Sequence, residues 1–403
     1  MKGIYTFLFS LLFCGFFSSC QKDNLNEDNS LEISFSVPLA SVETRSTTKD
    51  ALEVGDAFGV LGYCVPYTVG TTTPNYNGGS GVWSLKRNLC PPDVFYKQKV
   101  VVADNGCTYD RTGGSGNNPK YWYRDGFDTN NVGNSNVQGA EDYNYSFFAY
   151  YPYEGCFTLD SPNASNVAGA PKFKFTMPQK GNDIEEELDH TITPDAMMSV
   201  LYNKTRQEGN LQFQFSHLLT ALGFEVNNFS EYQLIIHSIK LGGSFYKEID
   251  IDLTGDKVVY TFSDSRYTGK YTIFDGTGLP EGGYILNAPD ANKGETVTSS
   301  PSPIGPILDG TARNEFIMLI SGTGTSFGDN IKVYLDYTFK GIRKSEVKPR
   351  PGTFTPQPGK KYTAQLNFVG DAFVINFVVD NSGEWGNGAA ADGDTGNDDI
   401  IFE

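Results

Sequence analysis

Two residues near the start of this chain are set up for covalent chemistry. The first is Cys20, which follows Met1 and Lys2, an apolar run over residues 4–17, and then Ser18 and Ser19. A positive start, a short apolar core and small residues before a cysteine make its thiol the acceptor of a lipid in lipoprotein export. The run is shorter than the ~20 residues a membrane-spanning helix needs, whereas a signal core takes about 7–15. Gln21, Lys22, Asp23 and Asn24 are polar and suit an extended tether. Each buried CH₂ contributes about 0.8 kcal/mol, so several acyl chains on one cysteine anchor firmly. The plainer alternative is an ordinary secretory signal with a chance cysteine beyond it. The second residue is Arg45, in Thr44-Arg45-Ser46. An arginine-specific protease would cut between Arg45 and Ser46; an incidental loop arginine is the alternative.

Other constellations are weaker. Gly324-Thr325-Ser326-Phe327-Gly328 has the spacing of a nucleophile elbow. An elbow needs a strand before it and a helix after it, but 331–339 reads as another strand, so a hairpin turn is expected. The histidines, His190, His217 and His237, all lie upstream of that serine and lack zinc-hydrolase spacing. His217 sits in an apolar run and reads as a satisfied core residue. The acidic run 392–399 lacks the glycine order and terminal glutamate of a calcium loop and reads as a flexible tail. Paired carboxylates of a glycosidase are a matter of distance in space, on which sequence is silent. Tyr121-Trp122-Tyr123 could stack on sugar rings, but rings packed inward are preferred. No enzyme activity, metal or cofactor is expected.

Composition sets the frame that must position these residues. The chain has 403 residues, room for two domains of ordinary size. It holds 44 Gly, 23 Tyr and 29 Phe, and helix formers are sparse, so the expected fold is all-β. Net charge is −17, which argues against nucleic acid as a partner and favours a soluble surface protein. Beyond Cys14 and Cys20 remain Cys64, Cys90, Cys107 and Cys156, all in the first half. An exported chain can oxidise them, and their pairing is open among three arrangements. Without a C-x-x-C knuckle they do not read as a zinc site.

Residues 31–37 alternate strictly between apolar and polar, the mark of a strand with one buried face. Further strands are expected at 56–63, 144–153 and 172–177. In the second half they are expected at 234–241, 248–253, 258–262, 315–321, 331–339, 361–368 and 373–379, with 211–226 the richest apolar stretch. Long Gly/Asn/Thr-rich loops, such as 71–81 and 113–140, separate the early strands. Many short strands with frequent turns read as sandwiches. The expected division is a signal peptide at 1–19, a tether and first strand at 20–45, an N-terminal sandwich at 46–205, and a C-terminal sandwich with an acidic tail at 206–403.

Taken in order, several short stretches resemble the fimbrillins, subunits of the protease-assembled type V pili of Gram-negative bacteria. They are Cys20, Ile33-Ser34-Phe35 followed by Thr44-Arg45, and Gly55-Asp56-Ala57-Phe58-Gly59-Val60. Next come Ala149-Tyr150-Tyr151-Pro152-Tyr153, then Phe215-Ser216-His217-Leu218-Leu219 with Phe224-Glu225-Val226. The last are Pro358-Gly359-Lys360-Lys361-Tyr362-Thr363 and 373–379 followed by Trp385. The resemblance implies two transthyretin-like β-sandwiches, a place in the outer membrane or a surface fimbria, and other pilus subunits as partners.

It also implies a mechanism. Leu31, Ile33, Phe35 and Val37 would line one face of a strand closing the N-terminal sandwich, worth roughly 6–12 kcal/mol gross at about 1.5–3 each. Cleavage after Arg45 would free that strand with its lipid. The groove would then accept a strand from another subunit. Phe373, Ile375, Phe377 and Val379 repeat the same alternation and are the first donor candidate; Ile400-Ile401-Phe402 is the second. The long first-half loops would suit a tip or accessory subunit whose task is adhesion to a host or bacterial surface ligand. The rival reading is an anchored lipoprotein that binds glycan or host protein and does not polymerise.

Overall fold

A computed structural model describes residues 32–38, 51–66, 94–109, 122, 143–159, 172–179, 187–188, 192–204, 210–252, 258–288, 302–303, 316–321, 327–350, 354–379 and 400–402. Those residues are nearly all β, as expected, with a 3₁₀ turn at Pro280–Gly282. The first strands are β1 (Phe35–Ser36), β2 (Ala57–Pro66), β3 (Phe95–Ala103), β4 (Gly106–Tyr109), β5 (Tyr143–Tyr151) and β6 (Phe157–Leu159). Then follow β7 (Lys172–Thr176), β8 (Glu187–Leu188), β9 (Met197–Lys204), β10 (Leu211–Gln212), β11 (Ser216–His217) and β12 (Thr220–Asn228). The chain continues through β13 (Leu234–Tyr246), β14 (Glu248–Asp252), β15 (Val258–Phe262), β16 (Arg266–Asp275), β17 (Tyr284–Leu286) and β18 (Ser302–Pro303). It ends with β19 (Ile317–Leu319), β20 (Gly328–Phe339), β21 (Ile342–Pro349), β22 (Lys361–Val369), β23 (Ala372–Val379) and β24 (Ile400–Phe402).

A sheet in the order β11-β9-β5-β2-β3-β4 has both of its faces covered. That explains the aromatic run 145–150, in which successive residues are all buried: with both faces in a core, the strand has no wet side to mark with polar residues. One face carries Leu61, Tyr63, Phe148, Tyr150, Met198 and Val200. It packs on Phe173, Phe175, Ile249, Ile251 and Tyr260 of a second sheet, ordered β24-β15-β14-β7-β6. The other face carries Phe58, Val60, Phe147, Ala149, Val100 and Val102, and its cover is the two-stranded parallel sheet β1-β10. Gly62 lets this face close: a Cβ there would lie 2.9 Å from the Phe95 ring and 3.2 Å from Phe147.

The C-terminal sandwich packs β18-β12-β22-β23, with β19 also on β12, against β21-β20-β13-β16-β8, with β17 on β13. Leu222, Phe224, Leu366 and Phe368 meet Leu241, Val333, Leu335 and Tyr337 in its core. Several elements differ from the sequence reading, β3, β4, β9 and β16 among them. The strand expected at 234–241 runs on through Gly242-Gly243 to Tyr246, because the glycine marks a close approach instead of a turn. A Cβ on Gly242 would lie 2.7 Å from the Tyr334 ring. The unexpected strand β21 is an exposed edge, and alternating charges such as Lys344, Glu346 and Lys348 hid it among polar loops.

Strands from beyond residue 210 join first-half sheets. Ser216 and His217 pair with Met198 and Met197, and β14 pairs along β7. Only Lys247 separates β13, in the C-terminal sandwich, from β14, in the second sheet of the N-terminal one.

Candidate functional site

The site is built on the strand that alternates at 31–37. Ile33, Phe35 and Val37 are all buried, and Phe35 keeps 2% of its surface exposed. Leu31 lies outside the described residues, as do Cys20, Arg45 and Ser46. Phe35 is boxed by four rings: Phe213 at 5.2 Å between centroids, Phe95 at 5.5 Å, Phe147 at 5.7 Å and Tyr109 at 6.2 Å.

Backbone contacts are few by comparison. Phe35 and Ser36 pair in parallel with Leu211 and Gln212. The Leu211 N–H donates to the Ser34 carbonyl at 3.0 Å, and the Phe213 N–H to that of Ser36 at 2.9 Å. The Tyr109 hydroxyl donates to the Ile33 carbonyl at 3.0 Å and also stands 3.2 Å from Glu32 Oε1. Asn210 Nδ2 donates to Ser36 Oγ at 2.7 Å. Three buried apolar side chains contribute roughly 4.5–9 kcal/mol gross at about 1.5–3 each. A backbone hydrogen bond nets about 0.5–1.5 kcal/mol. Side chains therefore hold this strand more than its ladder does. Without it, the face would present an aromatic trough and the backbone N–H groups of Leu211 and Phe213, an arrangement suited to receiving an extended segment.

The sequence reads 211–226 as one apolar stretch, whereas its first residues, Leu211 to Phe213, are the strand's partner. The sign was there: Leu211, Phe213 and Phe215 alternate with Gln212 and Gln214 in the same period of two. Tyr109, Phe95 and Phe147 come from β4, β3 and β5, and only the sheet order brings them together.

The two C-terminal segments are held differently. Phe373 and Ile375 of β23 are buried in the C-terminal core, and Phe377 stacks on Phe354 at 4.2 Å. β23 pairs with β22 through eight residue pairs, from Tyr362 with Val379 to Val369 with Ala372. The side chain of Val379 lies outside the described part of the structure. β24 pairs in parallel with β15 through three residue pairs, at the edge of the second sheet.

The remaining candidates fall elsewhere. Cys107 and Cys156, expected as candidate disulfide partners, are buried free thiols. They lie on opposite faces of the first sheet, Cys107 in the core under β1 and Cys156 in the core under the second sheet. Burial pushes Cys107 up to about 11 and Cys156 up to about 12. Cys90 and the side chain of Cys64 lie outside the described part of the structure. Trp122 packs inward, edge-on to Tyr145 at 4.8 Å, and offers no platform to a sugar. His217 is buried with its Nδ1 2.6 Å from Asp195 Oδ1. His237 sits 2.8 Å from the Gly282 carbonyl through Nδ1 and 2.7 Å from Thr338 Oγ1 through Nε2. His190, Gly324 to Ser326 and the acidic run 392–399 lie outside the described residues.

No protein-family model matches the chain, and no curated protein sequence does. Solved structures do match. A tip fimbrial protein, Mfa3 from Porphyromonas gingivalis, aligns over 83% of this chain and 96% of its own at 8% identity, with a TM-score of 0.30. A candidate cell adhesion protein from Bacteroides ovatus aligns over 86% of this chain and 95% of its own at 14% identity, with a TM-score of 0.40. A fimbrial protein from Bacteroides vulgatus aligns over 87% of this chain and 99% of its own at 17% identity, with a TM-score of 0.52. At that score and identity the chain shares the overall fold of a fimbrial protein.

Proposed function

We propose that this chain is a structural subunit of a cell-surface fimbria. It is exported as a lipoprotein through Cys20 and held at the outer membrane. It is opened by cleavage between Arg45 and Ser46, and it assembles when a strand of another subunit takes the place of residues 31–37. A tip or accessory position, with adhesion as its task, fits the same scheme. The observation that carries the reading is the cover of the first sheet: Ile33, Phe35 and Val37 seal one face through side chains, on a ladder two residue pairs long. Such a strand is stable while tethered and removable once the chain is cut. As donor, Ile400-Ile401-Phe402 is favoured over 373–379, because leaving an edge costs three residue pairs while extracting β23 costs eight and opens a core.

Mass spectrometry of the protein isolated from cells reads the state of its N-terminus. Acylated Cys20 is expected before assembly and Ser46 after it. Treating the purified protein with an arginine-specific protease should release the segment ending at Arg45 and yield a ladder of polymers. A cut protein that stays monomeric, or an Arg45→Ala variant that still polymerises, overturns the reading.

A further inference from the structure

The groove under β1 must choose a register as well as a strand. A shift of one residue turns Ser34 and Ser36 into the core and is excluded by the alternation itself. A shift of two keeps every side chain on its face. It also keeps the backbone bonds from Leu211 and Phe213, since these ask only for a carbonyl at every second residue. Backbone pairing therefore leaves the even registers equal, and the side-chain seats decide among them.

Those seats are unequal. The Phe35 seat is walled by aromatic rings of β3, β4, β5 and the 211–215 segment, each within 6.2 Å between centroids, while the seats on either side are filled by the branched aliphatic side chains of Ile33 and Val37. A shift of two would place an aliphatic side chain in this box, leaving unfilled volume. It would also drive the phenyl ring into a seat shaped for Ile33 or Val37, which is overpacked. Both errors are destabilising in a packed interior.

Resting on the strand-replacement reading above, we propose that the ring box of Phe95, Tyr109, Phe147 and Phe213 sets the register of any strand occupying this groove. It selects an extended segment with a branched aliphatic residue two positions before an aromatic one, the aromatic taking the seat of Phe35. Both C-terminal segments carry that spacing, as Ile375-Asn376-Phe377 and Ile400-Ile401-Phe402. With the 400–402 segment of a second copy as donor, the box therefore puts Phe402 where Phe35 now stands.

The test uses the full protein cut by an arginine-specific protease, with cleavage after Arg45 verified by mass spectrometry. Excess fluorescein-labelled peptides of the sequence 31–37 are then added and followed by anisotropy. The native peptide is expected to bind. A peptide with Phe35→Ala, and one with Phe35→Val and Val37→Phe together, are expected to bind at least about a hundredfold more weakly. Comparable affinity for all three overturns the register proposal and leaves strand replacement standing. Failure of every peptide to bind overturns strand replacement, and the register proposal with it.

Discussion

The two faces of the first sheet are closed in different ways. One is covered by a sheet whose strands are laddered together, β7 and β14 through five residue pairs. The other is covered by β1 and β10, paired over two residues, yet its core is as rich in rings. The difference teaches where cohesion resides. On the laddered face, removing one strand breaks a row of backbone bonds and a core together. On the β1 face, the cover is held by a set of side chains and only two residue pairs, so removing β1 would break far less backbone pairing.

The largest effect should come from truncating the cover. Phe35→Ala is expected to destabilise the intact protein by about 3–5 kcal/mol in urea unfolding. Ile251→Ala on the laddered face should destabilise it by about 2–5 kcal/mol. After cleavage and loss of the first segment, the Phe35→Ala difference should vanish while the Ile251→Ala difference persists. Persistence of both would mean the two covers are equally permanent.

Thiol labelling separates the faces next. At pH 8 a thiol titrating near 9 carries about a hundred times more thiolate than one titrating near 11. Cys107 should therefore gain up to about a hundredfold in alkylation rate when the β1 cover leaves, and Cys156 should not change; peptide-resolved mass spectrometry reads both. The same burial has a sign in stability. The folded state keeps Cys107 protonated above its ordinary value of 9.0, so its contribution is full below pH 9 and is lost as pH rises towards about 11. Cys156→Ser, which removes the thiol on the laddered face, should flatten the corresponding loss that extends towards pH 12.

A smaller effect is expected at the hydroxyl that touches the cover. Tyr109→Phe keeps the ring and removes the donor to the Ile33 carbonyl. It should destabilise the intact protein by about 1 kcal/mol and do nothing measurable once the strand is gone. An equal loss in both states would place its contribution outside the cover.

Much of this was legible in the residues, and what was not has a physical reason. Alternation at 31–37 and 172–177 marked strands because each has one wet face, and the pattern is local. The trough beneath Phe35 was not readable, because Phe95, Tyr109, Phe147 and Phe213 meet only after four strands take their order, and nothing in their spacing states that order. β9 and β16 escaped notice because alternation is blurred where a strand has both faces buried, as at Met197 to Val200, or carries Arg266, Thr268 and Lys270 outward. Inward packing of Trp122 was the preferred sequence reading, and its edge-on contact with Tyr145 agrees.

Lys247 alone stands between β13 and β14, and that brevity has a mechanical meaning. Tension applied to one sandwich reaches the other along a nearly unbroken extended backbone, clamped by β16 and β20 on one side of the junction and by β7 and β15 on the other. Load is then borne as shear across several antiparallel ladders at once, with no slack linker to stretch first. A molecule built this way passes force through its middle.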